Sequence, residues 1–287
     1  MSRNSYTTFA VAGVGTIGKH IARELLAIPG VRVIGLSRTK PKTPIEGLDV
    51  RTVDYTDSDS LVALLRGVDV VVSALPHEGY SVQPTLAKAA KAAGVHLFVP
   101  SEFGMVTDSD DMPPGVLGDK VETHKYLKSI DLPYTLFFTG MWTDIIFVPF
   151  FGYDLANRRV TLAGDGSAAQ TYTTEPDAAF YIAHVLTHLE SERLAWKSFR
   201  LEGETVSNRD VVRRFEAFLG EEVQIVWEDN EELKAKIASE GVFRTVAENL
   251  RLLWAQGYGA VGQNDNALVP GWKPLTVAEA LDKFYSK

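Results

Sequence analysis

The chain has 287 residues, 45% hydrophobic and 23% charged, an ordinary globular mixture long enough to bury a core without covalent staples. It contains no cysteine, which excludes disulfides, thiolate metal sites, iron–sulfur clusters and a cysteine nucleophile. Its 29 basic against 37 acidic residues leave a net charge of −8 with no basic block, which argues against duplex nucleic acid as the main ligand.

Met1 to Ala10 is polar with Arg3 as its one cation, so no secretory signal is expected, and a cytoplasmic setting suits the missing cysteines. From Phe9 to Thr139 short β-rich runs alternate with helix-period segments. This predicts an α/β fold, a Rossmann-type doubly wound parallel sheet. Strands are expected at Thr8–Ala12, Val31–Ser37, Val50–Val53, Val68–Ala74, His96–Pro100 and Tyr134–Thr139. Between the first two, Ile17, Ile21, Leu25 and Ile28 form one helical face over Thr16–Ile28, closed by Pro29-Gly30. Further helices are expected at Ser58–Arg66, opened by Asp57 as cap and ended by Gly67, and at Val82–Ala93, ended by Gly94.

The apolar stretch Leu132–Phe151 is interrupted by Thr139, Thr143, Asp144 and Pro149, too soon for the roughly twenty apolar residues of a membrane span. After Trp142 the alternation fails. A strand is expected at Phe199–Leu201, a helix at Asn208–Leu219 closed by Gly220, a strand at Val223–Trp227, and helices on either side of Gly241. This predicts a dinucleotide-binding unit over 1–141, rejoined by the chain at about 197–220, and a smaller C-terminal substrate-binding lobe over 142–287. A monomer or homodimer is compatible with this composition.

The first strand runs into Gly13-Val14-Gly15-Thr16-Ile17-Gly18, which leads directly into a helix. In that context Gly13 permits a tight turn, Gly15 admits a pyrophosphate to the backbone, and Gly18 lets the helix pack on the strand, with Thr16 and Ile17 at the helix start. The second strand ends in Ser37-Arg38-Thr39-Lys40, where an NAD protein would place a carboxylate. A guanidinium there suits a ribose 2′-phosphate, so the expected cofactor is NADP(H). Asp54 reads equally as an adenine contact or a turn carboxylate. Ser73-Ala74-Leu75 is expected beside the nicotinamide, because ligands sit at the carboxyl ends of such strands.

No tyrosine is followed by lysine four residues later, so the usual proton-transfer pair of short-chain dehydrogenases is missing from the sequence, as are the hydrolase elbow and kinase signatures. Pro100-Ser101-Glu102-Phe103-Gly104 resembles a segment of the NmrA-like and isoflavone-reductase-like branch of the atypical short-chain dehydrogenases. The glycine turn, Ser73-Ala74, Lys120 thirteen residues before Pro133-Tyr134-Thr135, and Asp177 at a helix start follow the same order. The resemblance covers the first 180 residues well and the rest loosely.

The resemblance implies a cofactor site that includes Ser101, Glu102 and Phe103, and it gives Lys120 the role of general acid/base on phenylpropanoid substrates beside NADPH. Burial would lower the lysine pKa toward neutrality and suit it to that role. Two departures are Ala12, where the plant enzymes commonly have glycine, and Thr139-Gly140-Met141, where they often carry a polar residue. His124, one turn after Lys120, reads either as a candidate substrate contact or as a packed or solvent-facing histidine, and His77 follows a strand end. Neither belongs to a metal set.

Seven aromatics fall within the seventeen residues from Phe137 to Tyr153, of which Trp142 and Phe147 are the expected substrate contacts. The chain is thus expected to reduce a small aromatic, phenolic or carbonyl compound. The competing expectation is an NADP-sensing regulator without turnover.

Overall fold

The computed structural model describes residues 5–109 and 115–286, and the segment containing Arg3 lies outside them. Five parallel strands lie in the order β3-β2-β1-β4-β5, with β1 Thr8–Ala12, β2 Arg32–Ser37, β3 Asp49–Thr52, β4 Val70–Ser73 and β5 Leu97–Val99. A bridge between Phe98 and Tyr134 extends this sheet to β6, Thr135–Phe138, which pairs in parallel with a strand at Lys197–Arg200. Helices α1 Thr16–Leu26, α2 Ser58–Leu65, α3 Gln83–Ala93, α4 Gly118–Ser129 and α5 Glu175–His188 cover its two faces.

The two-residue period of the strands sorts their side chains between two cores. Phe9, Val11, Val70 and Val72 face the apolar stripe Ile17, Ile21 and Leu25 of α1 and the small-residue face of α5. Ala10, Ala12 and Val71 face Leu61 and Leu65 of α2 and Leu86 and Ala90 of α3. Both faces are therefore buried at β1, β4 and β5, which explains why those strands read as nearly unbroken apolar runs, while the edge strand β3 is largely exposed.

Where the expected boundaries overshoot, a turn has taken the backbone groups. The Val68 amide donates to the Leu65 carbonyl and closes the turn after α2, while Ile28 and Val31 close successive turns around Pro29. The expected stop at Gly94 is a left-handed C-cap with φ of 82°.

Beyond β6 the chain builds two small sheets. A strand at Arg159–Ala163 lies between Tyr153–Asp154 and Gln224–Glu228, and one at Ala169–Thr173 lies between Glu204–Ser207 and Met141–Trp142. Helices at Asn208–Leu219, Asn230–Glu240, Val246–Ala255 and Val277–Phe284 accompany them. Their core gathers Phe147, Tyr153, Tyr172, Phe215 and Trp254. The return to the main sheet begins with α5, which packs on α1 before the strand at 197–200 is reached. No helix of the described residues is long and apolar enough to cross a membrane.

Candidate active site

The turn between β1 and α1 explains its glycines by distance. Gly13 adopts a φ of 91°, and a Cβ there would stand 2.5 Å from the Ala74 carbonyl oxygen. A Cβ at Gly18 would stand 1.9 Å from the Gly13 carbonyl oxygen, so glycine lets α1 press onto the turn. Gly18 thus packs the helix on the turn and, although counted with the cofactor-binding glycines, does not line the cleft.

At Gly15 no atom lies within 4 Å of where a Cβ would be, leaving open space above the backbone. Helix α1 starts without a side-chain cap and without an acidic residue in its first turn, so its leading amides are left for an anion. This cradle fits the pyrophosphate of a dinucleotide.

A cleft of about 1090 Å³ runs from the cradle along the carboxyl ends of the strands. Gly13, Gly15, Thr16 and Ile17 border its cradle, and Ser37, Arg38 and Asp54 line the part beyond β2 and β3. The Asp54 carboxylate accepts from the Thr56 hydroxyl at 2.7 Å and its amide at 2.8 Å, and these bonds lower its pKa. Of the two readings left open for Asp54, its own bonds are those of a turn carboxylate. Ala74 and Leu75 line the cleft, but Ser73 is fully buried because the strand pleat turns it between the layers. Its expected cofactor contact is corrected accordingly.

Ser101, Glu102, Phe103 and Lys120 meet at the inner end of the cleft. Phe103 holds a φ of 44°, rare for a non-glycine residue and costing roughly 1–3 kcal/mol. The turn is locked by the Phe103 amide on the Phe137 carbonyl and by the Thr139 and Gly140 amides on the Gly104 carbonyl. Ser101 donates to the Leu75 carbonyl at 2.7 Å.

This turn sends the Glu102 carboxylate away from the cleft, where it meets the His124 ring at 2.6 Å and accepts from Thr107 at 2.8 Å. The Lys120 ammonium, 6% exposed, donates to the Glu102 carbonyl at 2.5 Å and lies 3.8 Å from its carboxylate. On the other side it faces the Tyr80 ring, 5.7 Å from the centroid.

Burial acts to strip the proton from Lys120, but attraction to and hydrogen bonds with Tyr80 and Glu102 outweigh it and the pKa is raised. The expectation of a lowered lysine pKa is therefore corrected, because desolvation is not the only force on a lysine placed between a phenol and a carboxylate. Of the two readings of His124, the packed one describes its surroundings. It is buried behind Glu102, stacked on Tyr134 with ring centroids 5.8 Å apart, and does not line the cleft.

Trp142 lines the cleft and donates through its indole nitrogen to Thr139 at 3.1 Å. Phe147 does not line it. Its ring is buried edge-on against Phe215 and Tyr153, with centroids 4.7 Å and 5.2 Å away, so the expected substrate contact is a core residue. The apolar wall is instead Met105, Met141, Ile146, Phe151, Leu250 and Trp254.

Most of that wall was missed in the sequence, because its members come from separate segments and carry no shared motif. Tyr80 was missed too, although a signal existed: it follows β4, on the side where such sheets bind ligands.

The sequence model of the NmrA-like family matches residues 6–281, nearly the whole chain. The chain belongs to the NmrA-like family. Among relatives of this NmrA-like chain, the oxidoreductase aprR of Aspergillus flavus is 29% identical over 232 residues, 78% of this chain and 77% of that one. The phenylcoumaran benzylic ether reductase Pyrc5 of Pyrus communis is 27% identical over 304 aligned positions, 96% of this chain and 97% of that one. The solved complex of leucoanthocyanidin reductase with NADPH from Vitis vinifera superposes with a TM-score of 0.82 at 19% identity, covering 98% of this chain and 100% of that one. The last likeness is one of fold.

Proposed function

We propose that this NmrA-like chain is an NADPH-dependent reductase of the isoflavone-reductase-like type, acting on a small aromatic, phenolic/phenylpropanoid or carbonyl compound. The observation that carries the reading is a buried ammonium, Lys120, on the same cleft as an anion cradle and an apolar wall. The names of the relatives support it, since one is an oxidoreductase and another a benzylic ether reductase.

Bound NADPH would supply the hydride. Gly13, Gly15, Thr16 and Ile17 hold the pyrophosphate, and Ser37 and Arg38 hold the 2′-phosphate. Ala74, Leu75, Ser101 and Phe103 border the nicotinamide half. Met105, Met141, Trp142 and Trp254 exclude water from a planar substrate. Lys120 is the general acid/base: its charge favours the negative oxygen formed by reduction, and it is the source of the proton that neutralises that oxygen.

The test is NADPH oxidation by the purified protein with a panel of quinones, aldehydes and phenylpropanoid ethers. Turnover is expected on at least one acceptor, and Lys120→Ala should lower it at least about 100-fold while NADPH binding stays nearly intact. Full activity in Lys120→Ala would remove the lysine from the chemistry. Equal binding of NADP+ and NADPH with no turnover on any acceptor would favour a cofactor-sensing regulator instead.

A further inference from the structure

We propose that the Tyr80 phenol is the group that hands the proton to the substrate, with the Lys120 ammonium behind it as the group that replaces that proton. This rests on the reductase reading and assigns a catalytic role to a residue that no motif in the sequence marks.

The geometry separates the two groups by their access to the cleft. An ammonium has three N–H donors. One on Lys120 goes to the Glu102 carbonyl at 2.5 Å, the Glu102 carboxylate draws a second from 3.8 Å, and the remaining side faces Tyr80. Lys120 is almost fully buried in this corner, while Tyr80 is half-buried and lines the cleft. Any occupant of the cleft therefore meets the phenol more openly than the ammonium.

The other polar groups at this end are committed elsewhere. Ser101 donates to the Leu75 carbonyl, and the Glu102 carboxylate is turned to His124 and Thr107. Of the two tyrosines that line the cleft, Tyr55 donates to the Leu36 carbonyl at 3.0 Å, by β2. Tyr80 has its ring steadied by His77, edge-on at 5.2 Å and 83°.

The sequence lacks a tyrosine–lysine pair at the four-residue spacing that one helical turn would bring together. The fold restores the pair from residues forty positions apart, Tyr80 on the short 3₁₀ helix His77–Val82 after β4 and Lys120 on α4. Tyr80 and Glu102 outweigh the effect of burial and keep Lys120 protonated at rest, so a charged proton source stands beside the phenol.

For a carbonyl substrate the step balances as follows. The hydride from NADPH forms the new C–H bond, leaving NADP+, and the C=O π pair moves onto oxygen. That oxygen takes the Tyr80 hydroxyl proton, breaking the O–H bond. The phenolate takes a proton from Lys120, and the lysine amine regains one from bulk solvent at the mouth of the cleft, so each turnover consumes one solvent proton.

The test has two readouts on the full chain. In turnover, Tyr80→Phe keeps the ring and loses the hydroxyl, so kcat should fall at least about 100-fold while KM and the NADPH dissociation constant stay close to wild type. Without turnover, the Tyr80 ¹³Cζ signal of ring-labelled protein is followed against pH. Its midpoint should move to higher pH in Lys120→Met, because the ammonium that favours the phenolate is gone.

A wild-type kcat in Tyr80→Phe overturns the proposal, as does a midpoint that Lys120→Met leaves unmoved. If wild type turns over no acceptor, the reductase reading fails and the proton-donor role with it, whereas a moved midpoint would still establish the coupling of the two side chains.

Discussion

Arg38 stands exposed on the cleft, at the end of β2, beside Ser37 and near Tyr55. A guanidinium there gains little from packing, which suits the proposed role in binding. A 2′-phosphate would accept charge-assisted hydrogen bonds from it, worth about 1.5–3 kcal/mol, or about 10- to 100-fold in affinity. Arg38→Ala is expected to weaken NADPH by that factor and to leave NADH nearly unchanged, measured as two dissociation constants by fluorescence titration. An unaltered NADPH-to-NADH ratio would place the 2′-phosphate elsewhere. The placing of Arg38 and the glycine turn on one cleft was legible because each depends on a short segment whose ends are fixed by a strand and a helix, and that of Lys120 through the family resemblance. Phe147 was misplaced there, and His124 was left open. An aromatic or a histidine near a site in sequence has the same composition whether it faces ligand or core, and here Phe215 and Glu102 decide the matter from other segments. Tyr80 shows the converse, a pair invisible as a spacing and present as a contact.

Helix α2 depends on its start as well as on its buried face. The Asp57 carboxylate accepts from the Ser60 amide at 3.1 Å, satisfying one of the donors that a helix leaves open, while Leu61 and Leu65 dock beside α3. Asp57→Ala should therefore cost about 1 kcal/mol of stability, read as a lower urea midpoint with an unchanged slope. A change in slope would instead report a loosened native state. Such caps, and the unbroken apolar runs of a parallel sheet, made the first half of the fold readable. The strands at Arg159–Ala163, Ala169–Thr173 and Glu204–Ser207 escaped because they have no comparable run. Thr171 and Thr205, for example, face one another across the ladder with hydroxyls 2.8 Å apart, a pairing that only the partner strand reveals.

Glu175 lies where several parts of the molecule meet. It is the first residue of α5, its amide donates to Asp144 in the segment after β6, and Lys19 of α1 is close enough to act on its charge. The side chain is 2% exposed, and one carboxyl oxygen has no partner among the described residues. Burial first, and the Asp144 charge second, push its pKa from the usual 4.5 to about 7, with Lys19 only partly opposing them. The folded protein thus holds a proton that the unfolded chain releases near pH 4.5. Its contribution to stability is full below that point, declines as pH rises toward 7, and levels off above it. Glu175→Gln keeps a neutral group of similar shape at every pH. The variant is expected to melt at the wild-type temperature near pH 4.5 and a few degrees higher at pH 8, with the difference developing between those values in thermal denaturation. A variant less stable than wild type at pH 8 would mean that the carboxylate is ionised and favourably paired, with Lys19 outweighing both burial and Asp144 at the junction of α1, α5 and the chain leaving the sheet.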